Sequence, residues 1–161
     1  MSGPPPPRAR PARAMALDVG GRRIGVAVAD ESGTIATPIA TVLRDRGDHA
    51  DIARLVVAWN IDRLIVGLPT GLSGREGPQA ADVRAYADRL AAALGPYPAI
   101  EFWDERLTTA IAERALIAGG ARRAERKARI DAVAAAVILQ SYLDTARHRR
   151  DRARPAPTPE Y

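Results

Sequence analysis

An α/β fold, built on a five-stranded mixed sheet with elements in the order βββαβαβαα, is predicted for this 161-residue chain by three observations. Three short apolar runs follow one another with only brief turns between them. Later apolar runs alternate with stretches of helical spacing, and the chain closes on a helix that is apolar nearly all round. Strands joined by short turns pair antiparallel, whereas strands separated by a helix need a crossover and pair parallel, so the sheet must be mixed.

Met15–Val19 and Arg23–Ala29 are the first two strands, separated by Gly20-Gly21, and Asp30-Glu31-Ser32-Gly33 turns the chain into a third over Thr34–Leu43. His49–Trp59 sets Ile52, Leu55, Val56 and Trp59 on one helical face, and Arg63–Val66 reads as a buried strand. Ala80–Leu94 aligns Val83, Tyr86, Ala87, Leu90 and Leu94 as a second amphipathic helix, and Ala99–Trp103 is the fifth strand. Thr108–Ala118 and Ile130–Tyr142 are the closing helices. Ser73-Gly74-Arg75-Glu76 has the spacing of a capping box, although its glycine favours a loop. Trp59, Trp103 and Tyr142 fall on apolar faces as core residues, and His49 and His148 are expected on the surface.

One domain spans residues 15–144, with Pro- and Arg-rich tails expected to be disordered at 1–14 and 145–161. Met15 stands directly before the first strand, where it could serve as a start. The formal charge of +5 suggests a nucleic-acid partner until it is located: each tail carries +3 and the domain between them −1. No Cys is present, which removes disulfides, thiolate metal sites and cysteine nucleophiles, and fits a reducing compartment. Neither a secretory signal nor a membrane-spanning apolar run is evident, so a cytoplasmic location is expected.

Chemistry is left to carboxylates. Asp18 interrupts an apolar strand before Gly20-Gly21, and a carboxylate there needs a partner, a metal or solvent; an edge-strand or turn-capping role is the alternative. Asp104 and Glu105 follow the fifth strand, at the carboxyl ends where α/β sheets gather ligands, though both could instead serve the positive end of a helix starting at Thr108 or Thr109. Asp131 heads the buried last helix behind the basic run Arg122, Arg123, Arg126, Lys127 and Arg129, whose plainest role is a solvated loop leading into that helix. Asp18, Glu105 and Asp131 could converge in such a sheet, and an all-oxygen set suits Mg²⁺ or Mn²⁺.

Three stretches, Leu17–Asp30, Trp103–Thr109 and Lys127–Leu143, with Val66-Gly67-Leu68-Pro69 as a fourth, resemble the YqgF/RuvX family over about residues 15–144. These are bacterial RNase H-like nucleases linked to 5′-end maturation of pre-16S rRNA and once proposed as Holliday junction resolvases. The resemblance implies an RNase H-like fold and carries the metal-binding role to Asp18, Glu105 and Asp131, with Asp104 as a possible additional acid. Two departures stand out. Gly71 replaces an Asn common after the Gly-Leu-Pro, and the fourth strand ends in Gly67-Leu68-Pro69 where related resolvases place an acid, leaving Glu105 as the substitute.

The implied reaction is phosphodiester hydrolysis with two Mg²⁺ or Mn²⁺ ions, one activating water and one stabilising the leaving oxygen. Arg22, Arg23, Arg122, Arg123, Arg126, Lys127 and Arg129 would contact the phosphates of the substrate, pre-rRNA more readily than branched DNA. Ribosomal precursor particles are the wider partner, and a monomer or a homodimer is expected. A non-catalytic RNA-binding assembly factor is one rival. Another is the phosphate-binding Asp18-x-Gly20 of sugar kinases and actin-like ATPases, which need two such domains where this chain has room for one.

Overall fold

Side-chain alternation along the strands decides which residues face which helices. The computed structural model describes residues 12–71, 73–105 and 123–155. It comprises β1 (Ala14–Val19), β2 (Arg23–Ala29), β3 (Ala36–Leu43), α1 (Asp48–Ala58), β4 (Arg63–Leu68), α2 (Pro78–Leu94), β5 (Ala99–Asp104) and α3 (Arg123–Ala153). The sheet order is β3-β2-β1-β4-β5. β1 pairs antiparallel with β2 and β2 with β3, while β1–β4 and β4–β5 are parallel, as the connection lengths require. Pro38 lies in edge strand β3, beside a register shift between Val26 and Ala27, where a missing N–H is tolerated.

The two faces are packed differently. Met15, Leu17, Val19, Ile24, Val26, Leu64 and Val66 meet Ile52 and Val56 of α1 and Val83, Tyr86 and Leu90 of α2 in the larger core. On the other face Ala14, Ala16, Ala27, Ala29 and Ile65 meet Ala135, Ile138, Leu139 and Leu143 of α3. Small residues on both sides let the α3 backbone lie directly on the sheet.

Several boundaries differ from expectation for identifiable reasons. β3 starts at Ala36 and not Thr34, because the Asp30 carboxylate accepts the N–H groups of Thr34 at 2.8 Å and Ile35 at 3.0 Å and keeps them in the turn. The stretch from 145, expected as a disordered tail, continues α3 to Ala153, since no Gly or Pro intervenes before Pro155 and Leu143 is still buried. Residues 123–129 are likewise the first turns of α3 and not a loop. Arg13, assigned to the N-terminal tail, is fixed to the fold: its N–H donates to Asp62, its Nε to the Ala29 carbonyl, and its guanidinium stacks on Trp59.

The capping box does not form. Gly77 is the N-cap of α2 without a side-chain hydrogen bond, and Glu76 instead pairs with Arg84. His49 is half-buried, edge-on to the Tyr86 ring at 5.4 Å, while His148 is exposed as expected. Trp59, Trp103 and Tyr142 are half-buried at the margins of the two cores. The expected helix Thr108–Ala118 lies outside the described residues, as does Arg122.

Candidate active site

Asp18 lies near the end of β1, directly opposite Gly25 of β2. Its neighbours Leu17 and Val19 point into the larger core, and alternation sends Asp18 to the α3 face with Ala14 and Ala16. Burial raises its pKa above the ordinary carboxylate value; a hydrogen bond with Glu105 offsets part of this and the charge of Asp131 adds to it. The turn that follows is closed by Arg44, whose guanidinium donates to the Gly20 carbonyl at 3.0 Å and to the Asp82 carboxylate at 2.7 and 2.9 Å. Arg44 is a supporting residue that no motif in the sequence singles out.

Glu105 follows β5, its N–H donating to the Leu68 carbonyl at 3.2 Å, so it continues the parallel ladder beside β4. Its side chain crosses Gly67: a methyl group there would collide with the Glu105 carboxylate and with Ile138. The glycine on β4 therefore leaves the space through which the acid of the next strand reaches Asp18. Burial, then the charge of Asp18 and the hydrogen bond with it, push the Glu105 carboxyl up to about 8, with a smaller contribution from Asp104. Two half-buried carboxyls in contact favour sharing a proton over carrying two charges, unless a cation lies between them.

Asp131 is brought to the same place by backbone contact. A methyl at Gly25 would overlap the Asp131 carbonyl, so glycine at this one position is what lets α3 touch β2 opposite Asp18. The Asp131 carboxylate accepts from Arg23 Nε at 2.8 Å, and both side chains are partly exposed. Among the described residues no three carboxylate or imidazole groups are already gathered as a metal-binding set. Asp18 and Glu105 are in contact; Asp131 stands near enough to repel Asp18 while held by Arg23.

Asp104 belongs to the opposite face. It shares the face of Phe102 and Ile100, which pack on the larger core, and its carboxylate accepts from the Thr70 hydroxyl at 2.7 Å. Among the expected phosphate contacts, Arg22 and Arg129 are exposed and Arg23 is committed to Asp131. Arg123, Arg126 and Lys127 lie on α3 with side chains outside the described set.

Residues 12–145 match the family described as "RuvX: Holliday junction resolvase". The chain is 48% identical over 136 residues to a protein of Nocardioides sp., covering 81% of this chain and 86% of that one. It is 44% identical over 145 residues to one of Chloroflexus aurantiacus (89% and 94%) and 41% identical over 137 residues to one of Listeria monocytogenes (83% and 98%). All three carry the name "Putative pre-16S rRNA nuclease". Among solved structures, Thermus thermophilus RuvC in complex with a Holliday junction superposes with a TM-score of 0.52 at 14% identity, over 84% of this chain and 96% of that one. Fowlpox virus resolvase with Holliday junction DNA gives 0.51 at 10% identity, over 83% and 98%. Identities this low speak for the fold alone, which is the RNase H-like one.

Proposed function

This chain belongs to the RuvX family, and on that premise we propose that it is a cytoplasmic, metal-dependent nuclease that hydrolyses phosphodiester bonds of pre-16S rRNA near its 5′ end. The observation that carries the reading is the Asp18–Glu105 contact at the carboxyl ends of β1 and β5, with Asp131 beside it. A half-buried pair of carboxyls that favours sharing a proton fits a divalent cation, which supplies the missing positive charge and prefers oxygen ligands. Asp18 and Glu105 would hold Mg²⁺ or Mn²⁺, with Asp131 as the third ligand. Such an ion, when bound, activates water and stabilises charge on the scissile phosphate.

The chain's own residues do the positioning. Arg23 orients the Asp131 carboxylate, Gly67 leaves the path by which Glu105 reaches Asp18, and Arg44 holds the turn after Asp18. The proton shared by Asp18 and Glu105 must leave before both can act as ligands, so activity rises with pH. Arg22 and Arg129, exposed near the two acidic elements, are placed to meet backbone phosphates without reading sequence. No helix among the described residues is long and apolar enough to cross a membrane.

The test is incubation of wild type and Asp18→Asn with a pre-rRNA fragment and, separately, a four-way DNA junction under Mg²⁺ and Mn²⁺. RNA cleavage by wild type alone is the expected result. Junction cleavage alone transfers the reading to a resolvase, and RNA binding with no cleavage of either leaves a non-catalytic assembly factor.

A further inference from the structure

The face of the sheet that carries the acids holds a second constellation, running from Trp103 toward the opposite end of the strands. A cavity of about 280 Å³ lies where β1 and β4 begin and α3 passes over them, lined among others by Arg63, Glu101, Trp103, Tyr142, Arg149 and Arg150. Trp103 and Tyr142 meet edge to face at 5.4 Å, and Trp103 Nε1 donates to the Ser141 hydroxyl at 3.1 Å, fixing the ring. Arg63 donates to the Tyr142 hydroxyl at 2.8 Å and stands 3.6 Å from Glu101. The four charged side chains at the cavity leave it with net positive charge. Beyond Leu143 the chain adds Arg147, Arg152 and Arg154, all exposed, against Asp151 and Asp144, the latter paired with Arg147 at 3.2 Å.

We propose that this pole is a second nucleic-acid subsite, binding an unpaired nucleotide of single-stranded RNA, with the base against Trp103 and Tyr142 and the flanking phosphates on Arg149 and Arg150. Aromatic surface framed by guanidinium groups is the chemistry that recognises unstacked bases and the backbone joining them. The cavity is smaller than the roughly 300–1,000 Å³ of sites that enclose drug-sized ligands, which suits one planar base. Asp131 and Arg149 lie on the same helix, about 27 Å apart at 1.5 Å per residue. That exceeds the Debye length of about 8 Å several-fold, so these arginines cannot act on the acidic centre through their field. They act by contacting another part of the same strand. The subsite rests on the reading of the acidic centre as a site for RNA.

The experiment measures RNA binding in chelator, where nothing is cut, by the Trp59→Phe protein, in which Trp103 is the only tryptophan. A strand of about twenty nucleotides is compared with one of about four, too short to bridge the two poles. The long strand is expected to quench Trp103, and Arg149→Gln with Arg150→Gln to lower the salt slope by about 1.4, two phosphates' worth, and so to weaken its binding about 25-fold at about 0.1 M salt. The short strand, which can fill the subsite without reaching the acids, is weakened by the same pair of changes in like proportion. An unchanged salt slope for the long strand, or Trp103 emission that stays constant as that strand saturates, overturns the proposal. Because binding is read without metal, a wild-type protein that cuts no RNA under Mg²⁺ would defeat the nuclease reading and leave this comparison intact.

Discussion

The two faces of one sheet are built to opposite rules. Toward α1 and α2 the strands present Met15, Leu17, Ile24, Val26, Leu64 and Val66, large side chains that bury much apolar surface. Toward α3 they present Ala14, Ala16, Gly25, Ala27 and Gly67, which bury little but bring backbone and carboxylates close. The first face supplies most of the buried apolar surface, and the second holds the candidate acids. Asp18 and Leu17 are adjacent in sequence yet belong to different tasks.

Breaking the first face gives the largest expected loss of stability. Leu17→Ala removes a fully buried side chain and costs about 2–5 kcal/mol, while cleavage per folded molecule survives; chemical denaturation paired with active-site titration checks both. On the second face Gly25→Ala sets a methyl against the Asp131 backbone, which cannot swing aside. A cost near the upper end of about 1–3 kcal/mol is expected, with cleavage lost in the fraction that remains folded. Gly67→Ala meets chiefly the end of the flexible Glu105 side chain, so it costs less stability than Gly25→Ala and still lowers cleavage. Equal effects of Leu17→Ala and Gly25→Ala on cleavage per folded molecule would abolish the distinction between the faces.

A pH series sharpens the same contrast. Glu105 titrates near 8 in the folded protein against an ordinary 4.5, so between those values the folded state holds a proton that the unfolded chain has lost. Stability from this group is fully present below about 4.5 and is lost as pH rises through about 8. Asp18, raised in the same direction, adds to the trend. In chelator, the melting temperature of wild type should therefore fall relative to Glu105→Gln from pH 5 to 8.5, and Mg²⁺ should reverse the difference.

The smallest effect belongs to the large face. Tyr86 is buried with its hydroxyl beside Asp48; burial, then the charge of Asp48 and a weak hydrogen bond with it, raise its pKa, and among the described residues the hydroxyl makes no full hydrogen bond. Tyr86→Phe should alter stability by less than about 1 kcal/mol, since at most a weak bond is lost when the hydroxyl goes. A loss of several kcal/mol on denaturation would mean that the hydroxyl supports the fold.

Much of the site was legible in the chain itself. Interruption of an apolar strand marked Asp18, and placement after the fifth strand marked the Asp104-Glu105 pair, but alternation is what separates them: Glu105 shares the face of Trp103, while Asp104 turns to Thr70. The continuation of α3 past residue 144 was also visible, as a stretch without Gly or Pro before Pro155, yet its arginines resemble those of the N-terminal tail. Gly67 stood out only as the place where an acid is missing, and neither it nor Gly25 was legible as a point of close approach, because nothing local distinguishes a glycine that admits another group from one that merely loosens a strand.

The order of the described strands and helices and the face each strand residue takes follow from the sequence alone, because side-chain period and connection length are local properties of a chain. That Glu105 reaches Asp18 over Gly67, and that Arg23 holds Asp131, was decided only by tertiary structure. Those contacts join residues far apart in the chain, and their distances are set by how closely α3 and the strands can pack.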